Sequence, residues 1–162
     1  MTVLVTGAAG FIGFHVTSAL LARGEEVIGI DNLNDYYDVS LKKARLQRLE
    51  GKESFKFILS DIADYEKLSR SLEKIDSISH IVHLAAQAGV RYSLEKPFAY
   101  TRSNVEGQLA MLELCRSLSS LKHMVYASSS SVYGGNAKLP FSVEDPTDKP
   151  VSLYAATKVS GE

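Results

Sequence analysis

Thr6-Gly7-Ala8-Ala9-Gly10-Phe11-Ile12-Gly13 is the stretch whose reading sets the fold. A short apolar run with β-branched content, Val3-Leu4-Val5, leads into it, and a helical stretch to about Arg23 follows, stopped by Gly24. The glycines at 7, 10 and 13 give the spacing Gly-x-x-Gly-x-x-Gly at a strand-to-helix turn. Each has a physical reason to lack a side chain. Gly7 permits a tight turn, Gly10 lets a ligand approach the backbone, and Gly13 allows close packing of helix on strand. A phosphate would then meet free N–H groups at the helix N-terminus. Three glycines in seven residues can also be a plain loop. Their place directly after an N-terminal strand favours the phosphate-binding reading.

Working outward, strand and helix patterns alternate. Glu26–Ile30 reads as a second strand, followed by a polar, aromatic loop from Asp31 to Asp38. Ser40 reads as a helix N-cap, with Leu41, Ala44 and Leu49 on one face and Gly51 at the end. Phe55–Leu59 is a third strand, Asp64–Leu72 a helix and Ile78–Leu84 a fourth strand. Pro97 opens a long helix reaching about Leu118, and His123–Ala127 is a fifth strand. A serine-rich turn and a proline-containing loop lead to a helix beginning at Tyr154. Strands separated by helix-length segments predict an α/β fold, a doubly wound parallel sheet with helices on both faces.

The composition fits that class. The chain has 162 residues, 45% hydrophobic and 23% charged, enough for one domain with its own core. Eighteen basic residues against nineteen acidic ones give a net charge of −1, which offers no footprint for nucleic acid or an anionic membrane. Cys115 is the single cysteine, so no intrachain disulfide forms; its apolar helical surroundings read as core. No basic segment followed by a long apolar run opens the chain, and no segment approaches the roughly 18 apolar residues of a membrane span. The expected compartment is the cytoplasm. No metal site is expected.

Asp31 ends the second strand about twenty residues beyond the glycines, where a carboxylate can accept hydrogen bonds from adenosine ribose hydroxyls. It would repel a 2′-phosphate, so NAD is favoured over NADP. Asp31 can equally cap the Asp31-Asn32 turn. Asp61 and Ile62, after the third strand, are candidate neighbours of the adenine, although Asp61 can also be a helix cap. Tyr154 and Lys158 are four residues apart and share one helix face, where an ammonium favours the phenolate of a general base. Ser128-Ser129-Ser130-Ser131-Val132-Tyr133-Gly134 lies at the carboxyl end of the fifth strand, the side on which open α/β sheets bind ligands. It can also be a solvated turn. Arg91 is a candidate for a substrate carboxylate or phosphate, or a solvated loop arginine. His83 reads as structural and Asn104 as a packing or kink residue.

Glycine run, serine turn and Tyr/Lys pair, in this order, resemble the extended short-chain dehydrogenase/reductases over essentially all 162 residues. That resemblance implies a catalytic triad of Ser129, Tyr154 and Lys158. It also implies an NAD site built from Gly7, Gly10, Phe11, Ile12, Gly13, Asp31, Asn32, Asp61, Ile62, Leu84, Ala85, Ala86, Tyr154 and Lys158. Asp31-Asn32-Leu33-Asn34-Asp35-Tyr36-Tyr37-Asp38, Ala85-Ala86-Gln87-Ala88-Gly89-Val90-Arg91-Tyr92-Ser93 and the serine turn look like the UDP-glucuronate 4-epimerases. Related 4,6-dehydratases carry an Asp-Glu pair just after the catalytic hydroxyl residue, and related decarboxylases a Glu. Ser130 and Ser131 stand there instead, and neutral serines could hold a substrate carboxylate by hydrogen bonds. The implied activity is NAD-dependent epimerisation at C4 of a UDP-sugar through a 4-keto intermediate. UDP-glucose epimerisation and a non-catalytic NAD-binding module are the alternatives. By the same resemblance, residues 1–162 would be the NAD-binding part, truncated before the substrate domain, of a parent that forms a homodimer.

Overall fold

β1 (Thr2–Thr6) is buried along its whole length, and its alternating side chains divide the interior in two. Val3 and Val5 meet Val27, Ala8 and the inner side of α1 (Phe11–Ala22) through Val16, Leu20 and Leu21. Leu4 points the other way, into a larger cluster with Ile28, Ile30, Ile78, Ile81, Leu68, Leu72, Met111 and Leu114. Each such fully buried aliphatic side chain contributes about 2 kcal/mol of transfer free energy. A strand packed on both faces must be apolar throughout, and that makes Val3-Leu4-Val5 a continuous run.

The computed structural model describes residues 1–73, 75 and 77–162. In chain order the further elements are β2 (Glu26–Asp31), α2 (Val39–Gln47), β3 (Phe55–Leu59), α3 (Tyr65–Leu72) and β4 (Ile78–His83). Then come α4 (Tyr92–Glu95), α5 (Pro97–Tyr100), a π-helical stretch (Thr101–Glu106), α6 (Gly107–Ser117), β5 (His123–Tyr126), a 3-10 turn (Ser130–Tyr133) and α7 (Leu153–Val159). The five strands form one parallel sheet in the order β3-β2-β1-β4-β5. The chain therefore runs outward from β1 to β3, returns to β4 on the other side of β1, and leaves a crevice at the carboxyl ends of β1 and β4. The register places Thr6 level with Ile30 and His83, and His83 level with Tyr126. The loops after β1, β2, β4 and β5 thus share one rim.

Three sequence expectations are corrected. Asp38, not Ser40, caps α2, its carboxylate accepting from the Ser40 N–H at 2.8 Å. Lys42, Leu46 and Leu49 form the buried face of that segment, while Leu41 and Ala44 face solvent. A lysine can occupy the inner position because polar partners await it there. The long helix from Pro97 is not uniform α-helix, since residues 101–106 carry a π-helical stretch. Asn104 in that stretch is buried, and its side chain bonds outside its own helix, as described below. At Gly107, the residue after that stretch, a Cβ would lie 2.7 Å from Ile62 Cδ1, so the helix is seated closely on the loop after β3. Among the described residues no helix is long and apolar enough to cross a membrane.

Candidate functional site

The glycine turn forms one wall of the crevice. Gly7 has φ +70°, and a Cβ there would lie 3.0 Å from the Ala85 nitrogen, so the turn presses directly on the end of β4. The Gly10 N–H closes the turn on the Gly7 carbonyl at 2.9 Å, and Gly10 itself is the N-cap of α1. α1 has no capping side chain and no acid in its first turn. The N–H groups of Phe11, Ile12 and Gly13 are thus available to an anion. The side chains of Phe11 and Ile12 are 67% and 61% exposed, so their part in a cofactor site would be through the backbone. Gly13 does not line the crevice. Its missing Cβ is the space taken by the Gly7 carbonyl, so the lack of a side chain there serves packing.

Asp31 caps its turn, one of the two readings open in the sequence, and also holds the glycine turn. One oxygen accepts from the Ala9 N–H at 3.1 Å and holds the glycine turn, and the other accepts from the Leu33 N–H at 2.8 Å and caps its own turn. It also lines the crevice with Gly7, Gly10, Asn32, Asp61 and Ile62. Leu84, Ala85 and Ala86 form the facing wall. Asp61 accepts from the Ala63 N–H at 3.0 Å and pairs with Arg102 at 3.2 Å, while Asp64 is the residue that caps α3. Two buried polar atoms on this wall, Ser60 Oγ and Gln87 Nε2, have no hydrogen-bond partner among the described residues. Buried polar groups are rarely left so. A crevice with a glycine cradle, an uncapped helix start, a buried carboxylate and two unpaired polar atoms fits a dinucleotide.

The second half of the rim gathers the serine turn and α7. Ser129 has extended backbone and caps the 3-10 turn, its Oγ accepting from the Ser131 N–H at 3.2 Å. α7 packs against that turn. Three attachments fix it. Ser152 Oγ accepts from the Ala155 N–H at 3.0 Å, capping the helix. Lys158 Nζ donates to the carbonyl of Ala127, the residue after β5, and burial pushes its pKa down against the opposing pull of Glu162. Thr157 Oγ1 accepts from Asn104 Nδ2 at 3.0 Å. Asn104 in turn brackets the Gln87 backbone, accepting from its N–H at 2.7 Å and donating to its carbonyl at 3.0 Å. One side chain therefore ties α7 to the loop after β4. Tyr154 is half-buried, and its ring stands edge-on to the fully buried Tyr100 at 6.0 Å.

His83 is structural, as the sequence suggests. The Thr6 hydroxyl accepts from the Leu84 and Ala85 N–H groups, each at 3.1 Å, so its own proton goes to His83 Nδ1 at 2.6 Å. The imidazole is then neutral, with its proton on Nε2. Burial, then the neighbouring Lys158 charge, lower its pKa from 6.5 to about 4. Between those pH values the unfolded chain binds a proton that the folded chain refuses. Stability should therefore fall as pH drops through this window and level off below it, by about 3 kcal/mol in all. Urea unfolding at about pH 7, 5.5 and 4.5 reads the effect. His83→Gln should flatten that part of the profile, and an unchanged slope would contradict the assignment.

Ser130 is exposed and Ser131 half-buried beside Ser129. Arg91 is exposed at the start of α4 and lies outside the crevice lining. Several residues escape sequence reasoning. Lys42, Tyr36, Tyr37, Ser60, Gln87 and Ser103 line the crevice, and Asn104 joins its two halves. The aromatic, polar loop from Asp31 to Asp38 was the one signal for Tyr36 and Tyr37. Among the described residues no group of three or more His, Cys, Asp or Glu could hold a metal ion.

A sequence model of the GDP-mannose 4,6 dehydratase family matches residues 4–162. The chain is 57% identical over 162 residues to UDP-glucuronate 4-epimerase 4 of Arabidopsis thaliana, covering all of this chain and 37% of that protein. It resembles the solved UDP-glucuronic acid 4-epimerase of Bacillus cereus in complex with UDP-glucuronic acid and NAD, with 39% identity, a TM-score of 0.84 and coverage of 99% of this chain and 50% of that one. The UDP-Glc/GlcNAc 4-epimerase of Campylobacter jejuni is 25% identical with a TM-score of 0.87, covering 99% and 46% of the two chains. The chain thus spans half the length, or less, of these relatives. With the match running from β1 through α7, this chain belongs to the GDP-mannose 4,6 dehydratase family and stands close to the UDP-glucuronate 4-epimerases.

Proposed function

We propose that the whole protein is an NAD-dependent UDP-sugar 4-epimerase acting on UDP-glucuronate to give UDP-galacturonate, with residues 1–162 as its NAD-binding part. The observation that carries this reading is the fixing of Tyr154 and Lys158, through α7, beside Ser129 on the rim that holds the glycine turn. Gly7, Gly10 and the N–H groups of Phe11, Ile12 and Gly13 would hold the pyrophosphate. Asp31 and Asn32 would hold the adenosine ribose, Asp61 and Ile62 the adenine, and Leu84 to Ala86 the facing side. When bound, NAD would supply the oxidation of C4 and its later reduction from the other face. Tyr154 takes the O4 proton as C4 is oxidised and returns it on reduction. Ser129 supports the same oxygen by hydrogen bonding, and Lys158, held on the Ala127 carbonyl, stands one helical turn beyond Tyr154 in α7.

Ser130 and Ser131 distinguish the site from that of a dehydratase or decarboxylase. Neither is an acid or base near neutral pH, so no group there expels water or promotes loss of carbon dioxide from a 4-keto uronate. We also place the protein in the cytoplasm as a homodimer, with no nucleic-acid partner. The relatives that act on UDP-glucose give a second reading, epimerisation of a neutral hexose. Assay of the whole protein with UDP-glucuronate and UDP-glucose separates the two, since turnover confined to UDP-glucose would overturn the uronate assignment. Calorimetry with NAD and NADP tests the cofactor site. NAD should bind the more tightly, and Gly10→Val should abolish saturable binding, because a Cβ there already lies 3.0 Å from the Gly7 carbonyl. Equal binding by this variant would refute the glycine cradle.

A further inference from the structure

Lys42 is a buried cation for which the proposed reaction has no use. Its side chain is 6% exposed, yet it stands in the crevice lining, one helical turn into α2. Its Nζ donates to Asn34 Oδ1 at 2.8 Å, lies 3.8 Å from Asp31 Oδ1, and sits over the Tyr37 ring at 4.9 Å from the centroid. Arg45, on the next turn, donates through Nη1 to the Ala9 carbonyl at 3.2 Å and to the Tyr37 hydroxyl at 3.0 Å. Among the described residues nothing engages its Nε or Nη2. Lys42 thus stands beside Asp31, and Arg45 beside the Ala9 carbonyl of the glycine turn, where the ribose of a dinucleotide would end. Burying a lysine is costly, and the nearest carboxylate, that of Asp31, lies beyond hydrogen-bond distance. An ordinary NAD site needs the acid and not the base.

We propose that Lys42 is a second cofactor-selecting residue, and that with Arg45 it forms a latent 2′-phosphate site masked by Asp31. This rests on the crevice being the NAD site. With the carboxylate present, the pair is near neutral and suits a ribose diol, Asp31 accepting from a hydroxyl and Lys42 donating to one. Asp31, the carboxylate nearest the ammonium, supplies the main repulsion that excludes a phosphate. Once it is neutralised, the ammonium is already placed, held by Asn34 and Tyr37, and the adjoining guanidinium suits a phosphate by its fork geometry. Preference for NADP would need no new cation.

The test is competitive calorimetry on the whole protein with NAD and NADP, which reads weak affinities, with thermal melting to monitor folding. In Asp31→Asn, NADP affinity relative to NAD should rise about 100-fold, the scale of hydrogen bonds to a charged group gained and repulsion lost. The double variant Asp31→Asn/Lys42→Met should lose most of that gain. A single and a double variant with equal ratios would show that Lys42 plays no part, and no gain in Asp31→Asn would overturn the latent site. Lys42→Met alone keeps the apolar stem and the carboxylate. It should widen the preference for NAD about tenfold, and an unchanged ratio would count against the proposal even if Asp31→Asn failed to fold. Absence of NAD binding to the unsubstituted protein would instead be failure of the NAD-site reading itself.

Discussion

Tyr154→Phe is expected to lower epimerisation by the whole protein about 10²- to 10⁴-fold, the range for loss of a positioned acid–base group. Its stability should barely change. The ring makes the contact that matters to the fold, edge-on against Tyr100, and phenylalanine keeps it. The hydroxyl makes no hydrogen bond with any described residue, so no buried partner is left unpaired by its removal. Burial of α7 rests on Ala155 and Thr157, which the substitution does not touch. Turnover of UDP-glucuronate and a thermal melt, measured side by side, check both halves. Activity within about threefold of the parent would remove Tyr154 from the mechanism. A melt lowered in step with activity would reduce its role to packing.

Gly13→Ala should produce a large loss of stability. The new Cβ would fall 2.0 Å from the Gly7 carbonyl oxygen, 2.7 Å from its carbon and 3.0 Å from Ala8 Cα. All three are backbone atoms, so no side chain can swing aside. Either α1 moves off the sheet, opening the cluster of Val3, Val5 and Val16, or the turn that carries Gly7 unwinds. We expect a loss of about 3 kcal/mol or more, with accumulation of insoluble protein. Gly51→Ala is the control, because nothing lies within 4 Å of a Cβ there, and it should stay within about 0.5 kcal/mol of the parent. Urea unfolding of the two variants decides the matter. Similar midpoints would mean that Gly13 is not where helix and strand approach most closely.

Much of this arrangement was legible because local patterns and tertiary packing agree. Val3-Leu4-Val5 reads as a buried strand and is one, since both of its faces are covered. Gly24 marks a helix end through backbone geometry that belongs to the residue itself. The features that were not legible depend on partners distant in sequence. Lys42 displaces Leu41 from the inner face of α2 because Asn34, Tyr37 and Asp31 meet it there, and periodicity weighs a lysine as solvent-facing. Asn104 reads as a packing or kink residue and is buried in the π-helical stretch, but its partners Gln87 and Thr157, seventeen and fifty-three residues away, leave no signal within its own helix. Arg91 reads from the sequence as a substrate contact or a solvated loop arginine, and it stands exposed at the head of α4.

The π-helical stretch at Thr101–Glu106 also bears on how the length of this chain can vary. A π turn holds one residue more than an α turn in nearly the same rise, so it amounts to an insertion absorbed where it occurs. Elsewhere in a helix, an added or deleted residue would turn everything beyond it by about 100°. Within 101–106, removal of one residue would restore plain α-helix and leave Met111 and Leu114 still directed at the sheet. What such a deletion would forfeit is the inward reach of Asn104, and with it the tie between α7 and the loop after β4. This short segment is therefore where a relative could differ by a single codon, keep its core, and yet hold its tyrosine helix differently.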